Sequence, residues 1–131
     1  MSMGNIIKEK YIKWAYDGDS VVLTAPTTWE ISLHTADPLD DDSAVNELVG
    51  SGYARKEFTP SIGASPNFEM TNPIDLEWSP ATADWLQATH VVVRNKATGA
   101  MLDHGALTTP RTILNEGVFR LKAGELDTLY S

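Results

Sequence analysis

Cysteine is absent from the 131 residues. That excludes disulfide frameworks, thiolate zinc sites and cysteine nucleophiles, while leaving the redox compartment open. Basic charge is scarce: ten Lys and Arg stand against eighteen Asp and Glu, for a net charge of −8 and a pI near 4.7. A surface of that sign repels phosphate, so no nucleic-acid partner is expected. No apolar run approaches the ~18 residues of a membrane span, and the pair Ile6-Ile7 is too short for the core of a signal peptide. No membrane partner is expected either, and the chain is expected to start near Met1 and to be made in a cytoplasm. Phosphate loops are missing as well, since neither GxxxxGK[ST] nor GxGxxG occurs.

What remains is an ordinary globular composition, 42% hydrophobic and 21% charged, at the length of one domain. Two parts are expected, a helical segment over 1–18 and a β domain over 19–131. Within Asn5–Tyr16, Ile7, Tyr11 and Trp14 fall at i, i+4 and i+7, the spacing of one helix face. Asn5 is the expected cap at the start, and Gly18 the left-handed stop. The segment also carries Lys8, Lys10 and Lys13 against Glu9 on an otherwise acidic chain. Its aromatic stripe needs a cover, supplied by its own domain or by another subunit. The lysines suit an acidic partner or neighbouring copy, or simply a solvated helix face.

From Pro26 onward the apolar period becomes two. Trp29, Ile31 and Leu33 alternate with Glu30, Ser32 and His34, as in a half-buried strand. Further strands are expected at Tyr53–Phe58, Ile74–Trp78, Thr89–Arg94, Met101–Leu107, Arg111–Leu114, Val118–Leu121 and Glu125–Tyr130. Asn72-Pro73, Ser79-Pro80, Thr109-Pro110 and Ala123-Gly124 are among the turn signals between them. The fold expectation is mainly β, an antiparallel β-sandwich of jelly-roll type behind one short helix. Trp29, Ile31, Leu33, Val91 and Val93 are its expected core, and Thr35–Gly52 and Pro60–Asn72 its long loops.

Catalytic and metal motifs fare poorly. The run Asp37-Pro38-Leu39-Asp40-Asp41-Asp42 has oxygens for a hard cation, but an EF-hand count from Asp40 puts Ala44 at position five and Val45 where glycine is required. It is read as a solvated loop. His34, His90 and His104 lack HxxxH or HExxH spacing and are read as structural, with His34 and His90 on alternating strands where surface or half-buried histidines fall. Ser51, between Gly50 and Gly52, lacks the GxSxG elbow and marks a turn. Glu69, Asp75, Glu77 and Asp84 offer carboxylates for glycoside cleavage, although Asp75 and Glu77 share the expected wet face of one strand. Trp29 and Trp78 fit core positions, and Trp85 fits a plug at the end of the sandwich, rather than a sugar-stacking platform. No catalytic residue, metal ligand or cofactor is assigned, and no small-molecule ligand is expected.

Several segments recur together in one order. They are Leu33-His34-Thr35-Ala36-Asp37-Pro38, Gly52-Tyr53-Ala54-Arg55, Ala83-Asp84-Trp85 with Thr89-His90, the run Gly105–Arg111, and Ala123-Gly124. Together they resemble a family of small tailed-bacteriophage structural proteins, the tail-fibre or minor tail proteins, over about residues 27–127. The resemblance implies a virion component without enzymatic activity, partnered by other phage virion proteins and forming homo-oligomers. Ile7, Tyr11 and Trp14 are the expected subunit contact. The chain ends at Ser131, directly after the last expected strand, which favours a connector, decoration or tail-associated module over a host-recognising fibre. A head decoration or cement protein, a carbohydrate-binding module for the host surface and an acid-dependent glycosidase are the competing readings.

Overall fold

The computed structural model describes residues 2–18, 25–43, 45–64 and 69–129. In chain order the elements are β1 (Ser2–Met3), α1 (Asn5–Tyr16), β2 (Trp29–His34), β3 (Lys56–Phe58), β4 (Ser61–Ile62), β5 (Glu69–Thr71), β6 (Leu76–Glu77), β7 (Ala88–Asn95), β8 (Met101–Arg111), β9 (Arg120–Leu121) and β10 (Asp127–Leu129). The protein is mainly β, and its described strand pairs are all antiparallel. A five-stranded sheet in the order β1-β8-β7-β2-β3 is accompanied by the three-stranded sheet β10-β5-β4 and the pair β6-β9. This is consistent with the expected sandwich.

The core lies on one face of the large sheet. Ile31 and Leu33 from β2, Phe58 from β3 and Val91 and Val93 from β7 meet Met70, Leu76, Trp78, Phe119 and Leu121 from the smaller sheets and their connections. Two of these residues share a register position in each case, Ile31 with Val93 and Leu33 with Val91, so the alternation delivers one continuous apolar surface. Trp29 packs against this cluster but is only partly buried. Phe119 is fully enclosed and meets Trp78 edge-to-face at 5.0 Å between ring centroids.

Some expected boundaries move. The strand expected over Tyr53–Phe58 is regular only from Lys56, and those over Ile74–Trp78 and Val118–Leu121 shrink to two residues each. Thr109-Pro110 does not end a strand: β8 runs on to Arg111, and Arg111–Leu114 forms none of its own. The β7–β8 register shifts between Ala88 and His90, which accommodates the stretch around Pro110. That proline is exposed, where a missing N–H costs little. Within the expected loop Pro60–Asn72 the chain forms β4 and β5. Their lengths of two and three residues, with one apolar side chain each, are too short to show a period. Tyr130 of the expected last strand lies outside the described residues.

The helix bounds hold, but its start differs. Gly4 rather than Asn5 is the N-cap, and no side chain caps the helix. Gly4 is buried against β8, where a Cβ would sit 2.6 Å from the Met101 carbonyl oxygen. Only glycine lets the chain turn there from β1 into the helix. Gly18, at φ +63°, supplies the left-handed stop.

The packing gives a graded prediction. Phe119→Ala should lower the unfolding free energy by about 3–5 kcal/mol, because the ring is enclosed on all sides. Urea denaturation followed by tryptophan fluorescence measures it. A loss below about 1 kcal/mol would show that this centre of the core is wrongly placed.

Candidate functional site

The outer face of the large sheet is not wet. Glu30, Ser32 and His34 alternate outward as expected, yet Ser32 and His34 are fully buried. The cause is the Thr35–Gly52 connection, which folds back over the sheet. Thr35 N–H donates to the Asn46 carbonyl, Leu48 N–H donates to the Leu33 carbonyl, and Glu47 bridges to His34. His34 is thus a buried structural histidine, not a surface one.

Beneath this cover runs a directed polar chain. Asn46 Nδ2 donates to the Asp37 carbonyl, so its Oδ1 is left to accept the His34 Nδ1–H at 2.7 Å. His34 Nε2 then accepts from the Ser32 hydroxyl at 2.9 Å, and Ser32 Oγ accepts from Arg94 Nε at 3.0 Å. Burial holds the His34 imidazole below its ordinary value of 6.5, with the Asn46 bond opposing and Arg94 assisting. The Arg94 guanidinium is itself buried. It donates to both carboxylate oxygens of Asp42 at 2.5 and 2.9 Å and to the Gly99 carbonyl.

The acidic run is therefore not simply solvated, and its oxygens do not converge. Asp37 accepts from Leu39 N–H, and its carboxylate lies 3.7 Å from His104 Nδ1. Asp40 bonds His104 Nε2 at 2.6 Å and pairs with Lys8. The Lys8 bond first, and His104 second, hold its carboxyl below the ordinary range. Asp41 accepts from Ser43 N–H, and Asp42 takes Arg94. The three histidine positions share one sheet face, since His34 pairs with His90, and His104 pairs with Val92 two residues along β7. Among the described residues, however, no group of three or more His, Asp or Glu is placed to hold a metal.

The other candidates are dispersed in structural roles. Asp75 accepts from Ala123 N–H, Asp84 accepts from Asn115 N–H, and Glu77 pairs with Arg120. Ser51 sits at φ +52° between left-handed Gly50 and Gly52, and its carbonyl accepts from the buried Trp85 indole. Trp85 stands edge-on to Tyr53 at 5.7 Å. The Tyr53 hydroxyl accepts from Leu33 N–H beyond the end of β3, and burial pushes that phenol well above its ordinary value. Arg111, at one open rim, is held by Glu125 and the Arg120 carbonyl, so its charge is used internally.

The expected contact residues stand apart from all this. No residue of α1 is buried. The helix is anchored at its start, where Gly4 N–H donates to the Leu102 carbonyl, Asn5 N–H donates to the Asp40 carbonyl, and Lys8 pairs with Asp40. Beyond that point Tyr11 is 49%, Trp14 63% and Tyr16 78% exposed, while Ile7 is half-buried. The Tyr11 and Trp14 rings lie 6.2 Å apart on one side. The helix does not cover its own sheet.

A family model described as Gp80, podophage GP4 fiber I protein gp80, matches residues 2–128. The chain belongs to that family. It is a tailed-phage tail-fibre-like protein, and membership implies a place in the virion among other virion proteins. No curated protein matches it. The match includes α1 as well as the β domain, so the exposed helix lies within the family's pattern. Among the described residues of this Gp80-family chain, no helix is long and apolar enough to cross a membrane.

Two predictions follow from the buried polar chain. Arg94→Met should cost about 2–4 kcal/mol, less than a fully buried pair because the Asp42 side chain is 32% exposed. Urea unfolding measures it, and a neutral outcome would mean that the loop is held by other contacts. The second concerns pH. The unfolded His34 takes a proton below about pH 6.5, whereas the folded one resists until a lower pH, so its contribution is complete above 6.5 and lost on acidification. The melting-temperature gap between wild type and His34→Asn should therefore narrow from about pH 7.5 to about pH 5. A constant gap would contradict a neutral buried imidazole.

Proposed function

We propose that this chain is a non-enzymatic structural subunit of the phage tail fibre, and that it is held in the particle through α1. The observation that carries the reading is the exposure of Tyr11, Trp14 and Tyr16 on a helix that buries none of its residues in its own domain. An isolated helix of 12 residues is marginal in water, and large aromatics are the usual anchors of protein interfaces. Ile7, Tyr11 and Trp14 are the contact residues, and a neighbouring virion subunit is their cover. With Lys8 held by Asp40 and Lys13 by Glu9, Lys10 is the helix cation that favours an acidic surface on that neighbour, and it speeds the encounter more than it tightens it. The dispersal of Glu69, Asp75, Glu77, Asp84 and Ser51 supports a role without catalysis. The burial of Trp78 and Trp85 removes two of the aromatics a sugar-binding platform would use.

The test is a Tyr11→Ala/Trp14→Ala chain carried by the phage. Each substitution is on the surface and should change stability by no more than about 0.5 kcal/mol. Loss of the protein from purified particles, with an unchanged melting temperature, is the expected result. Normal incorporation would end the proposal.

A further inference from the structure

We infer that Asp40 is the positioning residue of the docking contact: it fixes the direction in which α1 leaves the β body, so that Tyr11 and Trp14 meet the neighbouring virion subunit already aimed. This rests on the docking role argued above and adds what aims it.

Asp40 can hold a direction because it is itself held on both sides. Pro38, two residues before it, is fully enclosed, and the Asp37 carboxylate accepts from Leu39 N–H at 2.9 Å, which fixes the turn between them. Two residues after it, Asp42 grips the buried Arg94 guanidinium through both carboxylate oxygens. A loop tied at both flanks moves with the body.

Three contacts then converge on Asp40. His104 Nε2–H, from an almost enclosed ring on β8, donates to its Oδ1 at 2.6 Å and ties the side chain to the sheet. Its Oδ2 takes the Lys8 ammonium. Its carbonyl accepts at 2.7 Å from the Asn5 N–H, one of the donors that a helix start leaves unpaired. Asn5 and Lys8 lie roughly 4.5 Å apart along the helix axis, and two attachments so spaced set a direction where one would leave a pivot. On the other side of the turn, β1 pairs with the same stretch of β8, Ser2 opposite His104 and Met3 opposite Asp103, and Gly4 N–H donates to the Leu102 carbonyl. The strand before the helix and the helix itself are both referred to the His104–Asp40 pair.

The helix is a lever on that root. Trp14 lies roughly 14 Å along the axis from Asn5, at ~1.5 Å per residue. A swing of roughly 20° then carries its ring about 5 Å, more than the ~4–4.5 Å at which side chains touch. The Lys8 and Asp40 side chains are 40% and 41% exposed, so their pairing adds little to stability, and its value lies in direction. A helix free over a cone of roughly 60° would spend about one eighth of its time within ~20° of the competent orientation, and its apparent affinity would fall by that factor.

Direction can be measured, because a chain without cysteine takes thiol labels only where cysteine is introduced. Nitroxides on the full-length chain carrying Tyr16→Cys, at the far end of α1, and Thr108→Cys, exposed on β8, report their separation by pulsed electron resonance. One narrow distance is expected. Asp40→Ala should broaden it by at least ~5 Å, with the melting temperature and the far-ultraviolet helix signal retained. Lys8→Met, which leaves the Asn5 and His104 bonds in place, should broaden it less. In phage carrying the wild-type gene, unlabelled Asp40→Ala chain supplied in equal amount should enter particles about 5- to 10-fold less than wild type. An unbroadened distance in Asp40→Ala overturns the inference, and so does a broadened one with equal incorporation. A lost helix signal overturns it too, since Asp40 would then build the helix rather than aim it. If Tyr11→Ala/Trp14→Ala is excluded from particles while Asp40→Ala enters as wild type does, the docking role stands and only the aiming falls. If Tyr11→Ala/Trp14→Ala enters normally, the docking role itself fails.

Discussion

A single buried guanidinium organises the outer half of this protein. Arg94 lies on a central strand, on the face away from the core, and is enclosed there. A charge in that position must be paired, since desolvation without a partner costs more than the fold can spare. Asp42 supplies the pair in a two-pronged geometry, and to do so the loop after β2 must lie flat on the sheet. Once it does, Ser32, His34 and Asn46 fall into line, because every donor in the enclosed layer needs an acceptor. The result is a central pair of strands covered on both faces by different chemistry, apolar on one side and hydrogen-bonded on the other.

The same loop sets where the helix leaves the domain. Asp40 accepts from the Asn5 N–H and pairs with Lys8, while Gly4 presses against the Met101 carbonyl. These contacts are local to the first turn. Beyond that turn Tyr11, Trp14 and Tyr16 stay largely in solvent.

Some of this was legible before any coordinates. Alternation placed Ile31, Leu33, Val91 and Val93 in the core, and helical spacing gave the bounds Asn5–Tyr16, because both signals are local and the backbone geometry of each element is fixed by its own residues. Motif order pointed to a tailed-phage structural protein. The aromatic stripe was visible as a stripe, although nothing local says on which body it rests. The strands β4 and β5 were not legible, since two or three residues with one apolar side chain each, Ile62 and Met70, carry no period.

The sequence by itself determined the class of fold, the inward face of the central strands, the helix and the poverty of catalytic and metal motifs. The tertiary structure decided three other matters. It buried Ser32 and His34, because the long loop that follows β2 folded back over their face. It turned the acidic run from a wet loop into a set of pairings, because Arg94, His104 and Lys8 arrive from elements 32 to 64 residues away in the chain. And it left Tyr11, Trp14 and Tyr16 in solvent, because the helix is rooted at only one end. Each depends on which surfaces meet, and that is settled by long-range packing rather than by the residues of any one segment.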